Sequence, residues 1–113
     1  MSFPPGAVQF WISLNDFAGA LPECGLRAMM AVIGFGIDSN RLTGSLPDGG
    51  LQAMMAITSF QVQQNRLTGS LPDAGIWKGL VAVELFENGF TGVLPECFFV
   101  EALSAVYIYD NFF

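Results

Sequence analysis

The sequence of 113 residues contains no histidine. Histidine titrates nearest to neutral pH, so the chain lacks the most frequent general base and the most frequent metal ligand of proteins. Nucleophile–base pairs, clusters of metal ligands and phosphate-binding loops are also missing from the sequence. We therefore expect a protein that is not an enzyme and that carries no metal and no cofactor.

Positive charge is scarce as well, with four basic residues against ten acidic ones and a net charge of −6. The basic residues are scattered along the chain, whereas a nucleic acid requires a concentrated positive field to neutralise its phosphates. The apolar stretches are interrupted by charged residues, glycine and proline, and none reaches the ~20 apolar residues of a membrane helix. We expect no nucleic-acid partner and no membrane insertion by this segment.

What the chain has instead is a repeat. The string Asn-Arg-Leu-Thr-Gly-Ser-Leu-Pro occurs identically at 40–47 and 65–72, and looser copies lie at 15–22 and 88–95. Five asparagines follow one another at intervals of 25, 25, 23 and 23 residues: Asn15, Asn40, Asn65, Asn88 and Asn111. Apolar residues stand three and five positions before each asparagine, which predicts a short strand with one buried face. Such units stack, because one unit alone cannot bury its apolar edge.

These positions form the pattern L-x-x-L-x-x-L-x-L-x-x-N-x-L-x-G-x-L-P, which resembles the leucine-rich repeat. The Leu-Thr-Gly-x-Leu-Pro portion is similar to the plant-type class found in receptor-like kinase ectodomains and polygalacturonase inhibitors. The resemblance implies an α/β fold, a right-handed solenoid with a parallel sheet on the concave face and short helical or 3₁₀ turns on the convex face. Residues 1–6 are then a leader or truncated flank, and residues 7–113 hold about four to five repeats.

Three further positions of the repeat have structural interpretations. An inward asparagine amide satisfies backbone groups of a buried turn, so the five asparagines are expected to form a ladder. The glycines four positions later mark tight packing or a positive φ: Gly19, Gly44, Gly69 and Gly92. Each Leu-Pro pair is followed by an acid, as at Glu23 and Asp48, which suits the first turn of a short helix.

Residues between the buried positions of each strand face outward and form the candidate binding surface. The set is Trp11, Asp38, Gln61, Gln63, Glu84, Phe86, Tyr107 and Tyr109. Phe86, Tyr107 and Tyr109 lie towards the C-terminal end, and exposed aromatics carry much of the energy of typical interfaces. The alternative is that these aromatics suit strands and contact one another across repeats. Gly34, Gly36, Ser59 and Gln61 are expected to make the central surface small and polar, which suits an extended ligand.

The resemblance implies recognition of a protein or peptide ligand on the concave face, by a receptor-like or scaffold array with a role in signalling. A second hypothesis is ice binding through the file Ala18, Thr43, Thr68 and Thr91, at the ~4.8 Å spacing of a parallel ladder. A third is a structural fragment without independent function. The carboxylates of Asp38 and Glu84 stand two repeats apart, about 10 Å, and are interpreted as groups on a solvated face.

Cys24 and Cys97 occupy the same site three repeats apart, about 14 Å at ~4.8 Å per repeat. A disulfide requires Cα atoms within ~7 Å, so we predict no bond between them and interpret both as small buried thiols. The resemblance implies an extracellular or cell-surface location, but the sequence shows no signal peptide, glycosylation sequon or pair of capping cysteines. Neither end shows a polar capping unit, so we expect a fragment of a longer array with further repeats at both ends.

Overall fold

The computed structural model describes residues 8–12, 15–27, 30–72, 79–94 and 105–113. Nine strands and two helices are defined within these ranges. Their bounds are β1 Gln9–Trp11, β2 Ala18–Ala20, α1 Glu23–Arg27, β3 Gly34–Gly36, β4 Arg41–Thr43, α2 Asp48–Ala53, β5 Ser59–Gln61, β6 Thr68–Ser70, β7 Ala82–Glu84, β8 Gly89–Thr91 and β9 Ala105–Tyr107. The strands β1, β3, β5, β7 and β9 recur at the same intervals as the five asparagines.

The principal sheet is parallel and contains one strand from each repeat, in the order β1-β3-β5-β7-β9. Equivalent residues of successive repeats are direct partners: Phe35 pairs with Phe60, Phe60 with Val83, and Val83 with Val106. Because every rung has the same register, equivalent side chains form files across the sheet. The expected α/β solenoid of stacked repeats is thereby confirmed.

The core lies behind this sheet. It contains the side chains that stand three and five positions before the asparagines. Phe35, Ile37, Phe60 and Val62 have no exposed surface. The rings of Phe10, Phe35 and Phe60 stack in sequence, with centroids 5.7 and 5.6 Å apart and planes inclined by 17° and 13°. The alternation of apolar and polar residues therefore separates an aromatic interior from an outer face that carries the candidate site.

The strands of the two smaller, two-stranded sheets pair with a different register. In the pairing of β2 with β4, Ala20 lies opposite Thr43, and in the pairing of β6 with β8, Ser70 lies opposite Thr91. Each rung is therefore displaced by two residues from the sequence repeat, and the threonines do not face one another. The straight threonine file of the ice-binding hypothesis depends on the register of the principal sheet, which these strands do not share.

The two short helices follow the Leu-Pro steps, where acid after proline predicted them. Leu26 of α1 and Leu51 of α2 are fully buried and pack into the core. The equivalent segments of later repeats lie within 73–78 and 95–104, outside the described residues. α2, at six residues, is the longer helix, and no helix in the described ranges is long and apolar enough to cross a membrane.

The prediction of buried thiols is wrong for Cys24, whose side chain is exposed and unbonded. Cys24 is the second residue of α1. The buried residue of this five-residue helix is Leu26, so a short helix that buries one side chain leaves Cys24 towards solvent. Cys97 lies outside the described residues, so the predicted absence of a disulfide between the two cysteines stays a prediction.

Gly50 is the point where α2 packs closely against α1. A Cβ at Gly50 would lie 2.7 Å from the Cβ of Leu26 and 3.2 Å from the carbonyl oxygen of Glu23. We expect Gly50→Ala to destabilise the protein by roughly 1–2 kcal/mol, because the overlap outweighs the gain in helix propensity. The shift of the urea unfolding midpoint measures this change.

Gly49→Ala is the matched control, one residue earlier in the same helix. The three atoms nearest to a Cβ there belong to the carboxylate end of Glu23 and the guanidinium end of Arg27. The Arg27 side chain is 59% exposed and the Glu23 side chain is 49% exposed. Both can therefore move aside. Gly49→Ala should leave the midpoint unchanged or raise it, and equal losses in the two variants would contradict the helix–helix contact.

Candidate ligand-binding face of the sheet

The asparagine column lies just beyond the carboxyl ends of the strands of the principal sheet. Its amides join each repeat to the one before it. The Nδ2 amide of Asn65 donates to the carbonyl oxygens of Ile37 and Val62, at 3.1 and 3.0 Å, and its Oδ1 accepts from the backbone N–H of Leu42 at 3.1 Å. Asn40, Asn88 and Asn111 make equivalent hydrogen bonds. Asn40, Asn65 and Asn88 are buried, whereas Asn15 is exposed. The side-chain amides of Asn40, Asn65, Asn88 and Asn111 are therefore hydrogen-bonded to backbone groups.

The residue before each of these four asparagines has a left-handed backbone, which the sequence reasoning did not anticipate. The φ angles are 57° at Ser39, 58° at Gln64, 57° at Glu87 and 56° at Asp110. The hydroxyl of Ser39 donates to Oε1 of Gln64 at 2.7 Å, and Nε2 of Gln64 donates to Oε2 of Glu87 at 2.9 Å. All four are polar and none is β-branched, which is the one signal the sequence offered.

The outer face of the sheet carries two files of side chains, which we call the sheet face. The first file contains Trp11, Gly36, Gln61, Glu84 and Tyr107, and the second contains Asp38, Gln63, Phe86 and Tyr109. The second file follows the strand ends, where backbone hydrogen bonds continue from Ser39 N–H to Gln63 O and from Gln64 N–H to Phe86 O, at 3.0 and 2.9 Å. All eight residues of the candidate surface therefore share one face.

Aromatic side chains occupy the C-terminal end of the sheet face. The rings of Phe86 and Tyr109 stack with centroids 4.7 Å apart and planes inclined by 11°, so two of the aromatics contact each other across repeats. Tyr109 and Tyr107 remain about half exposed, at 53% and 48%. The stacking packs the Tyr109 ring against Phe86, and about half of the surface of each tyrosine stays available to a partner.

Trp11 occupies the opposite end of the sheet face. Its Nε1–H donates to Oε1 of Gln9 at 2.9 Å, and its ring covers Gly34 and Gly36, where any Cβ would overlap the indole or the Gln9 amide. Both glycines are buried, so at these two positions the surface is formed by the indole rather than by small, polar groups. The absence of their side chains makes room for the indole, which is 47% exposed.

Between the aromatic ends lie Asp38, Gln63 and Glu84, which we call the acidic cluster. Burial raises the pKa of Glu84, and the negative charge of Asp38 raises it further. The two carboxylates therefore interact, although the sequence places them two repeats apart. Gln63 is only 8% exposed, so this member of the candidate surface is covered by its neighbours rather than exposed. Gln61, beside Glu84 on the ladder, is half-buried.

The sheet face as a whole presents few kinds of chemical group. It carries exposed aromatic side chains at its two ends and half-buried carboxylates between them, all held on one parallel sheet. Within the described residues, no three side chains of the kinds that bind metals lie together. The arrangement can supply apolar contact, hydrogen-bond acceptors and negative charge to a partner.

Comparisons with known proteins identify the fold. No family model matches the sequence, and no curated protein does either. Among solved structures, the Arabidopsis receptor kinase HAESA, in complex with the peptide hormone IDA and the co-receptor SERK1, matches with a TM-score of 0.83 and 24% identity over 95% of this chain and 18% of that one. The plant peptide hormone receptor RGFR1, in complex with RGF2, matches with a TM-score of 0.80 and 24% identity over 91% of this chain and 19% of that one.

The BIR2 ectodomain from Arabidopsis thaliana matches with a TM-score of 0.76 and 22% identity, over 88% of this chain and 53% of that one. This chain therefore spans about a fifth of the two receptors above and about half of BIR2. At this level of identity the likeness shows the fold. The fold is the leucine-rich-repeat solenoid of plant receptor ectodomains, as the resemblance in the sequence predicted.

Proposed function

We propose that this chain recognises a protein or peptide ligand, as part of a receptor-like or scaffold array, and that the ligand lies along the sheet face. The observation that carries the proposal is the placement of exposed Trp11, Tyr107 and Tyr109 on one side of a parallel sheet. Large exposed aromatics are the residues that most often anchor interfaces. A sheet whose repeats are joined by asparagine amides holds them at fixed spacings, which reduces the entropy lost on binding.

The solved structures support recognition in general. HAESA was solved with the peptide hormone IDA, and the peptide hormone receptor RGFR1 with RGF2; both structures share this fold. This chain spans only about a fifth of either receptor, so a role in a receptor, and signalling through it, belongs to the proposal. Catalysis by this chain is not proposed, because the sheet face offers binding groups without a nucleophile–base arrangement. The staggered pairing of Thr43 and Thr91 gives the ice-binding alternative no support.

Selection of peptides from a random display library tests this proposal. Five strands at ~4.8 Å span about 19 Å, which an extended peptide of about six residues covers, so a library of somewhat longer peptides is suitable. We expect selected peptides to lose roughly tenfold or more in affinity for the Trp11→Ala and Tyr109→Ala variants, since interface aromatics are typical hot spots. Isothermal titration calorimetry measures the change.

Thr68→Ala provides the control, because Thr68 is exposed but lies on β6, away from the sheet face. Affinity for this variant should equal that of the native chain. Selected peptides that bind the Trp11 and Tyr109 variants as tightly as the native chain, or a library that yields no binding peptide, would refute recognition at the sheet face.

A further inference from the structure

We propose that the acidic cluster of Asp38, Gln63 and Glu84 is a subsite for an arginine side chain of the ligand. This inference rests on the proposed function and adds the chemistry of one contact. The backbone hydrogen bond from Ser39 N–H to Gln63 O, 3.0 Å, places Asp38 beside Gln63 on the ladder. The hydrogen bond from Val62 N–H to Glu84 O, also 3.0 Å, places Glu84 against the same strand from the other side.

Gln63 gives the observation that points to a ligand. Its side chain is more than nine-tenths buried, yet its Oε1 atom has no hydrogen-bond partner. A buried polar atom without a partner costs free energy, so such atoms in native proteins are usually paired. Rotating the amide would offer two N–H donors to two carboxylates, which together have about eight acceptor positions. In either orientation the cluster has more acceptors than donors.

Within the part of the chain that the structure describes, no cationic side chain forms an ion pair with the carboxylates of the acidic cluster. The ion pairs of the described residues are Arg27 with Glu23 and Arg41 with Asp16, and neither involves the cluster. The hydroxyl of Ser39 lies 3.4 Å from Oδ2 of Asp38, but its one proton goes to Oε1 of Gln64 at 2.7 Å. Burial raises the pKa of Glu84, and the negative charge of Asp38 raises it further, so each carboxylate lies within the electrostatic reach of the other.

Arginine fits this demand better than other cations do. A guanidinium has five N–H donors in one plane, enough to reach two carboxylates and an amide oxygen together. It also stacks on aromatic rings, and the cluster lies between Trp11 at one end and the stacked Phe86 and Tyr109 at the other. The side chains that cover Gln63 Oε1 must part for the guanidinium to enter, and Asp38 and Glu84 are only half-buried.

The peptide selection described above provides the test when it is run against two proteins. One is the native chain and the other is the double variant Asp38→Asn, Glu84→Gln, whose amides keep the size of the carboxylates. We expect arginine at one position of the peptides selected with the native chain, and no arginine preference with the double variant. Replacing that arginine by citrulline, which has nearly the same shape without the charge, should weaken binding to the native chain by roughly tenfold.

The same citrulline replacement should leave binding to the double variant almost unchanged, which completes a double-mutant cycle. The comparison of arginine with citrulline peptides on the native chain requires no protein variant. It therefore tests the arginine subsite even if the double variant does not fold. Peptides that depend on Trp11 and Tyr109 but show no arginine preference would overturn the subsite while the proposed function stands. A library that yields no binding peptide would overturn both. A rise in the melting temperature of the native chain with calcium alone, absent in the double variant, would indicate a metal site and overturn the arginine subsite.

Discussion

Replacing Asn65 by alanine is expected to destabilise the protein by about 3–5 kcal/mol. Asn65 is 8% exposed and its amide satisfies backbone groups of two repeats. Alanine leaves the N–H of Leu42 without this acceptor, deprives the carbonyls of Ile37 and Val62 of a donor and opens a cavity. A loss of this size is a large fraction of the 5–15 kcal/mol stability of a typical domain. Urea unfolding followed by circular dichroism measures it.

Asn65→Asp separates the hydrogen bonding of the amide from its volume. The carboxylate can still accept from Leu42, but it faces the carbonyl oxygens of Ile37 and Val62 without donors. We expect its pKa in the folded protein to lie above the ordinary value near 4. A carboxyl with a raised folded-state pKa contributes stability below its unfolded pKa and loses it as pH rises through the folded value. The deficit relative to the native chain should therefore grow from about pH 4 towards neutral pH.

A deficit of Asn65→Asp that does not change with pH would contradict this account of the ladder. Thr68→Ala, an exposed change on the next strand, serves as the control and should leave stability nearly unchanged. The ladder also supports the sheet face, because the amide of Asn65 makes a longer hydrogen bond of 3.3 Å to the carbonyl oxygen of Gln63. We therefore expect Asn65 variants that still fold to bind selected peptides more weakly.

Phe60→Ala is the second substitution with a large expected effect, again about 3–5 kcal/mol. Phe60 has no exposed surface, and its ring stacks on that of Phe35 at 5.6 Å. Alanine removes this contact and leaves a cavity in the middle of the solenoid, where the neighbouring strands are held by their own ladders and cannot close it. Both the thermal midpoint and the urea midpoint should fall.

Phe112→Ala is the matched control, because it deletes the same ring from a residue that is 74% exposed. We expect a change within about 0.5 kcal/mol. Phe60→Leu, which retains most of the apolar volume, should fall between the two. A loss for Phe112→Ala as large as that for Phe60→Ala would show that the stacked core does not carry the stability assigned to it.

The repeat pattern predicted the principal sheet because its positions obey a local rule. Apolar residues that alternate before each asparagine must share one face of a strand. Strands that recur at a fixed period then bury that face by stacking, as Phe35 and Phe60 do. The eight candidate surface residues fell on one face for the same reason. The pattern could not predict the register of β2 and β4, because the repeat period alone does not say which residue of one rung pairs with which residue of the next.

Contacts across repeats account for what the sequence reasoning missed at the site. The covering of Gly34 and Gly36 by Trp11 depends on a side chain in the previous repeat, and sequence spacing does not reveal which way an indole leans. The charge of Asp38 raises the pKa of Glu84 two repeats away, because electrostatic interactions act over longer distances than side-chain contacts do. The exposure of Cys24 depends on which side of a five-residue helix meets the core.

The sequence by itself determined the solenoid, its stacked strands and the inward or outward direction of each file, because periodicity acts on every repeat alike. The tertiary structure alone decided the register of the two smaller sheets and which aromatic rings stack. It also decided that Gln63 is buried beside two carboxylates without a partner for its Oε1. These features differ from one repeat to the next, and they depend on side chains from different repeats that meet only after the chain has folded.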